Sequence, residues 1–512
     1  MQFVLLILVL LVVGAPLRAQ NAAYDLPIRE HLLPNGLRLL VLKRPGDHRV
    51  AAKIFTEFGA LNEEPGELGT AHFLEHLMFK GTPSLGTRDW EAERVLHERI
   101  DAVERALTEE LNRDHQRLRQ RGVFHEYRHA ESTPRLDSLR AEVARLDAEV
   151  QRYREHGAMM KWYQAFGGAR LTATTEQEYM KFDINLPVER LPLFFRIEAD
   201  RMVNSVFREF DQERMILVEQ RYGDLNRPST PYYEAMNALV GSVHPVFWPE
   251  GYLTDFEQYT RHYHRDLYER YFIPNNSSIV LIGGVSLEQA IPLAERYFGW
   301  MERRPEPTRP RAVEPTPQAE KRLIWRSAAL APRVEARFLI PGVGHPDRPH
   351  FDVLAAVAEA QLRQALREAG LSANVNVNSQ VVHTSRFGVP ATLNFEVVVS
   401  REEELPRAEE TLLALLDRLA REPAAPGGLE LAQKQLRADW HRLARDADRL
   451  GFEIGHFQVM DSWRTLQPYL EARDRTSLED VQRLAARYFV AENRSIGIVR
   501  PPETAAAARE GL

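Results

Sequence analysis

The stretch HFLEH, His72 to His76, decides how this chain is read; it lies within ELGTAHFLEHLMFKGT, Glu67 to Thr82. Side chains four positions apart project from one face of a helix, so His72 and His76 can both reach a single metal ion. Glu75 follows the first histidine by three residues and precedes the second by one. It borders the same face but points slightly aside, which suits a carboxylate that handles the attacking water rather than the metal. Zinc polarises a carbonyl and acidifies water, and a neighbouring carboxylate takes the proton. Peptide hydrolysis needs this set. The bare motif does not by itself exclude an ordinary amphipathic helix, so the rest of the chain must decide.

The chain has 512 residues and no cysteine, with a formal net charge of -7. Disulfides, thiolate zinc sites and cysteine nucleophiles are thereby excluded, and any metal must be held by histidines and carboxylates. The charge balance offers no electrostatic case for nucleic acid. Phe3 to Val13 is an unbroken apolar run followed by small residues. It is short for a membrane span and reads as a secretory signal peptide over residues 1–20, although the usual positive charge before the run is missing. An uncleaved anchor is the alternative. No other segment is long and apolar enough to span a membrane, so the mature protein is expected to be periplasmic or secreted.

A proline-rich, charged stretch at 303–322 reads as a linker between two domains, 24–302 and 323–505. The two parts look related. RYFIPNNSSIVLIGG (Arg270 to Gly284) and RYFVAENRSIGIVRP (Arg487 to Pro501) share a helix end, a turn containing Asn276 or Asn493, and an apolar strand. Strand-like segments beginning at Val50 and Val334 also match, each expected to lead into a long helix.

The first part is longer because of an insertion at 90–157. Leu96, Ile100, Val103 and Leu107 recur at helical spacing, as do Leu136, Leu139, Val143, Leu146, Val150 and Tyr153. The pattern predicts helices over Trp90 to Gln120 and Leu136 to Tyr153, forming a coiled-coil hairpin.

GTAHFLEHLMFKGT resembles the pitrilysin or insulinase family of metallopeptidases, M16, whose metal motif is H-x-x-E-H. LTATTEQEYMKFDINLP (Leu171 to Pro187), EADRMVNSVFREFDQERMILVEQR (Glu198 to Arg221) and HPVFWPEGYLTDFEQYT (His244 to Thr260) resemble further stretches of that family. The resemblance runs through both halves. It implies an α+β fold of two similar M16-type domains, each a mainly antiparallel sheet packed with helices, with the hairpin inserted in the first. It implies Zn2+ held by His72, His76 and a glutamate on a later helix, and Glu75 as the general base.

That later helix can be read in two registers. One places the family's paired carboxylates on Glu213 and Gln220; the other places the ligand on Glu219, with Gln212 seven residues before it. Glu219 is taken as the third ligand because a glutamine oxygen is a poor zinc ligand beside a carboxylate. The resemblance makes Thr172, Ala173 and Thr174 the edge on which an extended peptide pairs, with Thr172 standing where asparagine is usual. The second half has no H-x-x-E-H and carries Ala373 where tyrosine is frequent, which implies a non-catalytic wall. The implied activity is hydrolysis of extended peptides in an enclosed chamber. The implied assembly is a homodimer or a heterodimer with a related subunit. The alternative is a non-catalytic subunit or peptide-binding scaffold with an impaired metal site.

Overall fold

The computed structural model describes residues 24–122, 133–308, 312–380 and 391–502. The expected signal peptide, 1–20, lies outside the described residues. The chain forms two compact units. The first comprises Glu30–Thr230 and Trp248–Arg311; the second comprises Pro231–Phe247 and the described residues from Ala312 on, with residues 24–29. Pro231–Phe247 thus falls with the second unit although it lies inside the 24–302 span.

The fold is α+β. In the first unit the strands are β1 (Arg29–Leu32), β2 (Arg38–Lys43), β3 (Arg49–Thr56), β4 (Ala169–Thr175), β5 (Met180–Pro187) and β6 (Ser277–Gly283). They form one sheet in the order β1-β2-β6-β3-β5-β4. In the second unit β7 (Lys321–Arg326), β8 (Arg333–Ile340), β9 (Asn374–Gln380), β10 (Ala391–Val398) and β11 (Arg494–Arg500) form a sheet in the order β7-β11-β8-β10-β9. The two orders correspond strand for strand from β2 onward. Directions correspond too: β2 pairs with β6 in parallel, as β7 does with β11, and the pairs β3–β6, β3–β5, β4–β5 match β8–β11, β8–β10, β9–β10 in being antiparallel.

The repeated asparagine explains the repeated sequence. Asn276 Nδ2 donates to Tyr271 O (2.9 Å) and Glu57 O (3.1 Å), and Asn493 Nδ2 donates to Tyr488 O (3.0 Å) and Leu339 O (2.9 Å). In each case one side chain ties the end of a helix to the end of a neighbouring strand, satisfying carbonyls that regular structure leaves unpaired. β6 is buried along its whole length, as its SSIVLIG sequence requires of a central strand. Its counterpart β11 carries Gly497, where a Cβ would lie 2.5 Å from Met236 Sδ and from Tyr232 Oη. The helix carrying those two residues, Ser229–Val240, packs directly on that strand. This is why Pro231–Phe247 belongs with the second sheet.

The helices of the first unit that concern the site are α1 (Thr70–Met78), α2 (Trp90–Gln120), α3 (Pro134–Val150), α4 (Ala158–Ala165), α5 (Leu191–Asn204) and α6 (Phe210–Leu225). α2 and α3 are the inserted hairpin. Leu96, Ile100, Leu146 and Val150 form its core, with Val103 and Tyr153 packed against them. α3 begins two residues earlier than its heptad pattern, at Pro134, because Thr133 caps it by accepting from Leu136 N. Residues 123–132, between the two helices, lie outside the described residues. No described residue between Phe298 and Lys321 is in a helix or strand, in keeping with the proline-rich composition.

One expectation is corrected. The segment after β3 was expected to lead into a long helix; α1 has nine residues, whereas its counterpart after β8, Arg348–Glu368, has 21. α1 ends in a turn at Gly81, which has φ +95° and where a Cβ would stand 2.2 Å from Leu85 O. Arg208 holds that turn by donating to the carbonyls of Lys80 (2.9 Å), Thr82 (3.1 Å) and Leu85 (3.3 Å).

Candidate metal centre

α1 buries one face and leaves the other open. Ala71, Phe73, Leu74, Leu77 and Met78 enter the core, while His72, Glu75 and His76 are half-buried on the opposite side. The helix starts at Gly69, whose φ of +87° is a left-handed conformation; a Cβ there would lie 2.8 Å from Glu250 O. Its first amides are satisfied by a buried carboxylate rather than by a short capping residue. Glu63 accepts from Gly69 N (2.8 Å) and Ala71 N (2.7 Å). Burial pushes the Glu63 carboxyl up to about 8, against the opposing pull of those two amides.

The two histidines converge. His72 Nε2 and His76 Nε2 are 3.2 Å apart, with the rings edge to face. Two nitrogens each bound to one tetrahedral zinc at ~2.05 Å stand about 3.4 Å apart. The pair therefore fits a shared metal ion. Burial, then the neighbouring His76, lowers the His72 pKa and favours the neutral, ligating imidazole.

His76 Nδ1 lies 3.0 Å from Glu213 Oε2 on α6. A carboxylate behind a ligating imidazole fixes its tautomer and aims the other nitrogen at the metal. Burial raises the Glu213 pKa, but the contacts from His76 and Lys80 outweigh it and hold the carboxyl below its usual range. Lys80 Nζ reaches Glu213 Oε1 at 2.5 Å.

Glu75 points toward the end of β4. Its Oε2 accepts from Thr175 Oγ1 at 2.7 Å. Thr175 ends β4, which closes the sheet on that side and has β5 as its single strand neighbour. Thr172, Ala173 and Thr174 pair inward with Asp183, Phe182 and Lys181 of β5. A register shift between Ala169 and Thr172, with Arg170 at φ +56°, bends the start of this strand.

The third ligand is where expectation and geometry part. Glu219 and Gln220 are both exposed on α6. Among the described residues no group of three or more His, Asp or Glu side chains stands arranged to hold a metal ion. The contact between Glu213 and His76 selects the face of α6 that meets the histidines. At 100° per residue, position 220 lies about 20° from Glu213 around the helix, and position 219 about 120°. The face nearest the histidines therefore carries Gln220 rather than Glu219. Asp224, one turn further on, is one of the charges that act on His72, together with Glu75 and Glu250. Glu63, Thr175 and Asp224 went unread in the sequence, because nothing local distinguishes them from surface or capping residues.

Comparison with known proteins places the chain in a family. The family described as Insulinase (Peptidase family M16) matches residues 38–117, and the one described as Peptidase M16 inactive domain matches residues 259–436. A relative from Helicobacter pylori, zinc protease PqqE, is 20% identical over 502 residues that cover 94% of each chain. Among solved structures, a protease from Helicobacter pylori superposes with a TM-score of 0.72 at 16% identity, covering 93% of this chain and 99% of that one. The periplasmic protease PqqL from Escherichia coli superposes with a TM-score of 0.69 at 14% identity, covering 95% of this chain and 49% of that one. No helix among the described residues is long and apolar enough to cross a membrane. The chain belongs to the M16 peptidase family, with zinc proteases among its relatives.

Proposed function

We propose that the protein is a zinc-dependent endopeptidase that hydrolyses extended peptides. The observation that carries this reading is the convergence of His72 Nε2 and His76 Nε2 to 3.2 Å, with Glu213 behind His76. Zinc, when bound, would polarise the scissile carbonyl and acidify a water molecule. The chain's own residues do the rest. Glu75 accepts the proton of the attacking water at a carboxylate whose orientation Thr175 sets, and then delivers it to the leaving amine. The outer edge of β4 offers backbone groups to an extended peptide along Thr172, Ala173 and Thr174, which gives affinity with little sequence preference.

A carboxylate from α6 completes the ligand set in this proposal. Glu219 is the candidate taken from the sequence, and the register set by Glu213 favours a site opposite Gln220 and Asp224. The peptide would be processed in a chamber completed by a second copy or a related subunit. The periplasmic setting of PqqL supports a periplasmic or secreted location.

The second reading, a non-catalytic peptide-binding subunit, is favoured by Gln220 on the face that meets the histidines. Metal analysis, together with cleavage of a quenched fluorescent peptide by the wild type and by Glu75→Gln, separates the two. Stoichiometric zinc with cleavage that Glu75→Gln abolishes supports the peptidase. Cleavage that survives the substitution sinks the assigned role of Glu75, and absence of both zinc and cleavage supports the scaffold.

A further inference from the structure

The inserted hairpin is rooted where the metal centre is braced. The two residues that precede α6, Arg208 and Glu209, each hold one root. The Arg208 guanidinium is fully buried and pairs with Glu93 in the first turn of α2, with Nη2 to Oε2 at 3.2 Å and Nε to the other oxygen. Glu209 pairs with Arg154, which follows α3. Glu209 also has φ +61°, a left-handed conformation that a residue with a Cβ keeps only where its surroundings hold it.

From Glu209 the contacts run on to the histidine. Lys80 Nζ lies 3.0 Å from Glu209 Oε2 and 2.5 Å from Glu213 Oε1, and Glu213 Oε2 lies 3.0 Å from His76 Nδ1. The side chains of Arg154, Glu209 and Glu213 are at most 6% exposed, and that of Lys80 is 22% exposed.

We propose that Lys80 and Arg154 are positioning residues of the metal centre, so that the root of the inserted hairpin is part of the support of His76. The proposal rests on the zinc reading above. One oxygen of Glu213 serves His76, and the direction in which that imidazole points depends on how the carboxylate is turned. Lys80 holds the other oxygen and sets that turn. A lysine side chain is long and flexible; Glu209 keeps it over Glu213, and Arg154 keeps Glu209 in place. Partners behind a metal ligand commonly change metal affinity by ~10- to 100-fold when removed.

The test uses the full chain and two readouts other than activity. Zinc affinity is measured by competition with a chromophoric chelator, and ligand geometry by the visible spectrum of the cobalt(II)-substituted protein. Lys80→Met is expected to weaken zinc binding by about tenfold or more and to shift the cobalt bands. Arg154→Met is expected to act in the same direction with a smaller loss, and Arg154→Lys to recover most of it. Arg145→Ala removes exposed pairs with Glu142 and Glu149 on the same hairpin and is expected to leave both readouts unchanged. If Lys80→Met fails to fold, Lys80→Arg and the Arg154 pair carry the comparison. Variants that lose thermal stability while keeping wild-type zinc affinity and cobalt spectrum overturn the proposal and leave the peptidase reading intact. A wild-type chain that takes up no zinc overturns both.

Discussion

The two sheets are copies of one design put to different use. Both order their strands alike and tie the same corner with an asparagine. They diverge just after the strand that pairs with β6 or β11. In the second unit a 21-residue helix follows, with ten of its residues buried and no histidine pair on one face. In the first the helix is cut to nine residues, started by a buried carboxylate and stopped at a glycine turn held by Arg208. A long helix is held by its own apolar stripe. A short one carrying polar groups on its open face needs partners from elsewhere, and here these are Glu63, Thr175, Glu213 and Lys80.

The comparison breaks most visibly at Glu75. Glu75→Gln keeps the size of the side chain and the acceptor for Thr175 but removes the base. Cleavage of a model peptide is expected to fall by roughly 10²–10⁴-fold while zinc uptake persists. No substitution at a counterpart position in the second unit is expected to approach this.

The two corner asparagines sharpen the comparison in stability. Asn276→Ala and Asn493→Ala each remove two side-chain hydrogen bonds to carbonyls, which costs about 1–3 kcal/mol where the groups stay dry. Asn276 is buried and Asn493 is half-buried, so the first substitution should cost more. Equal shifts in the urea midpoint would mean that burial does not set the strength of the two corners.

Much of this arrangement was legible in the sequence. Periodicity placed α2 from Trp90 to Gln120, because a long solvated hairpin is written almost entirely in its own heptads. The repeated R-Y-F and asparagine located the duplicated corner, because the same hydrogen bonds demand the same residue. HFLEH could be read because i and i+4 share a face whatever surrounds the helix. The register of α6 could not. Adjacent helical positions differ by ~100°, and the face of α6 turned to the histidines is fixed by a contact 137 residues apart in sequence, from His76 to Glu213. The exchange of Pro231–Phe247 to the second sheet was equally hidden, since it depends on the missing Cβ of Gly497.

α6 itself yields the next test. Glu219→Gln and Gln220→Glu exchange amide and carboxylate at neighbouring positions. If the face that carries Glu213 is the one that meets the metal, Gln220→Glu should tighten zinc binding by about tenfold and Glu219→Gln should change it little. The reverse pattern, read by chelator competition, would restore Glu219 as the ligand and rotate the working face of α6 away from Glu213.

The smallest effect concerns Glu63, the carboxylate that starts α1. Its folded-state pKa, about 8, lies above its ordinary value of 4.5, so the folded protein binds this proton more tightly than the unfolded chain does. The stability linked to that proton is fully present below about pH 4.5 and is lost as the pH rises through about 8. Urea midpoints should therefore decline over that window by more in the wild type than in Glu63→Gln, which cannot titrate. The second unit starts its equivalent helix at Arg348, where the side chain of the N-cap residue Asp347 makes no capping hydrogen bond. A pH slope that is unaltered in Glu63→Gln would mean that the buried carboxyl keeps an ordinary affinity for its proton. The α1 amides would then be stabilising the anion fully, and the start of the helix that carries the two histidines would be an ordinary charged cap.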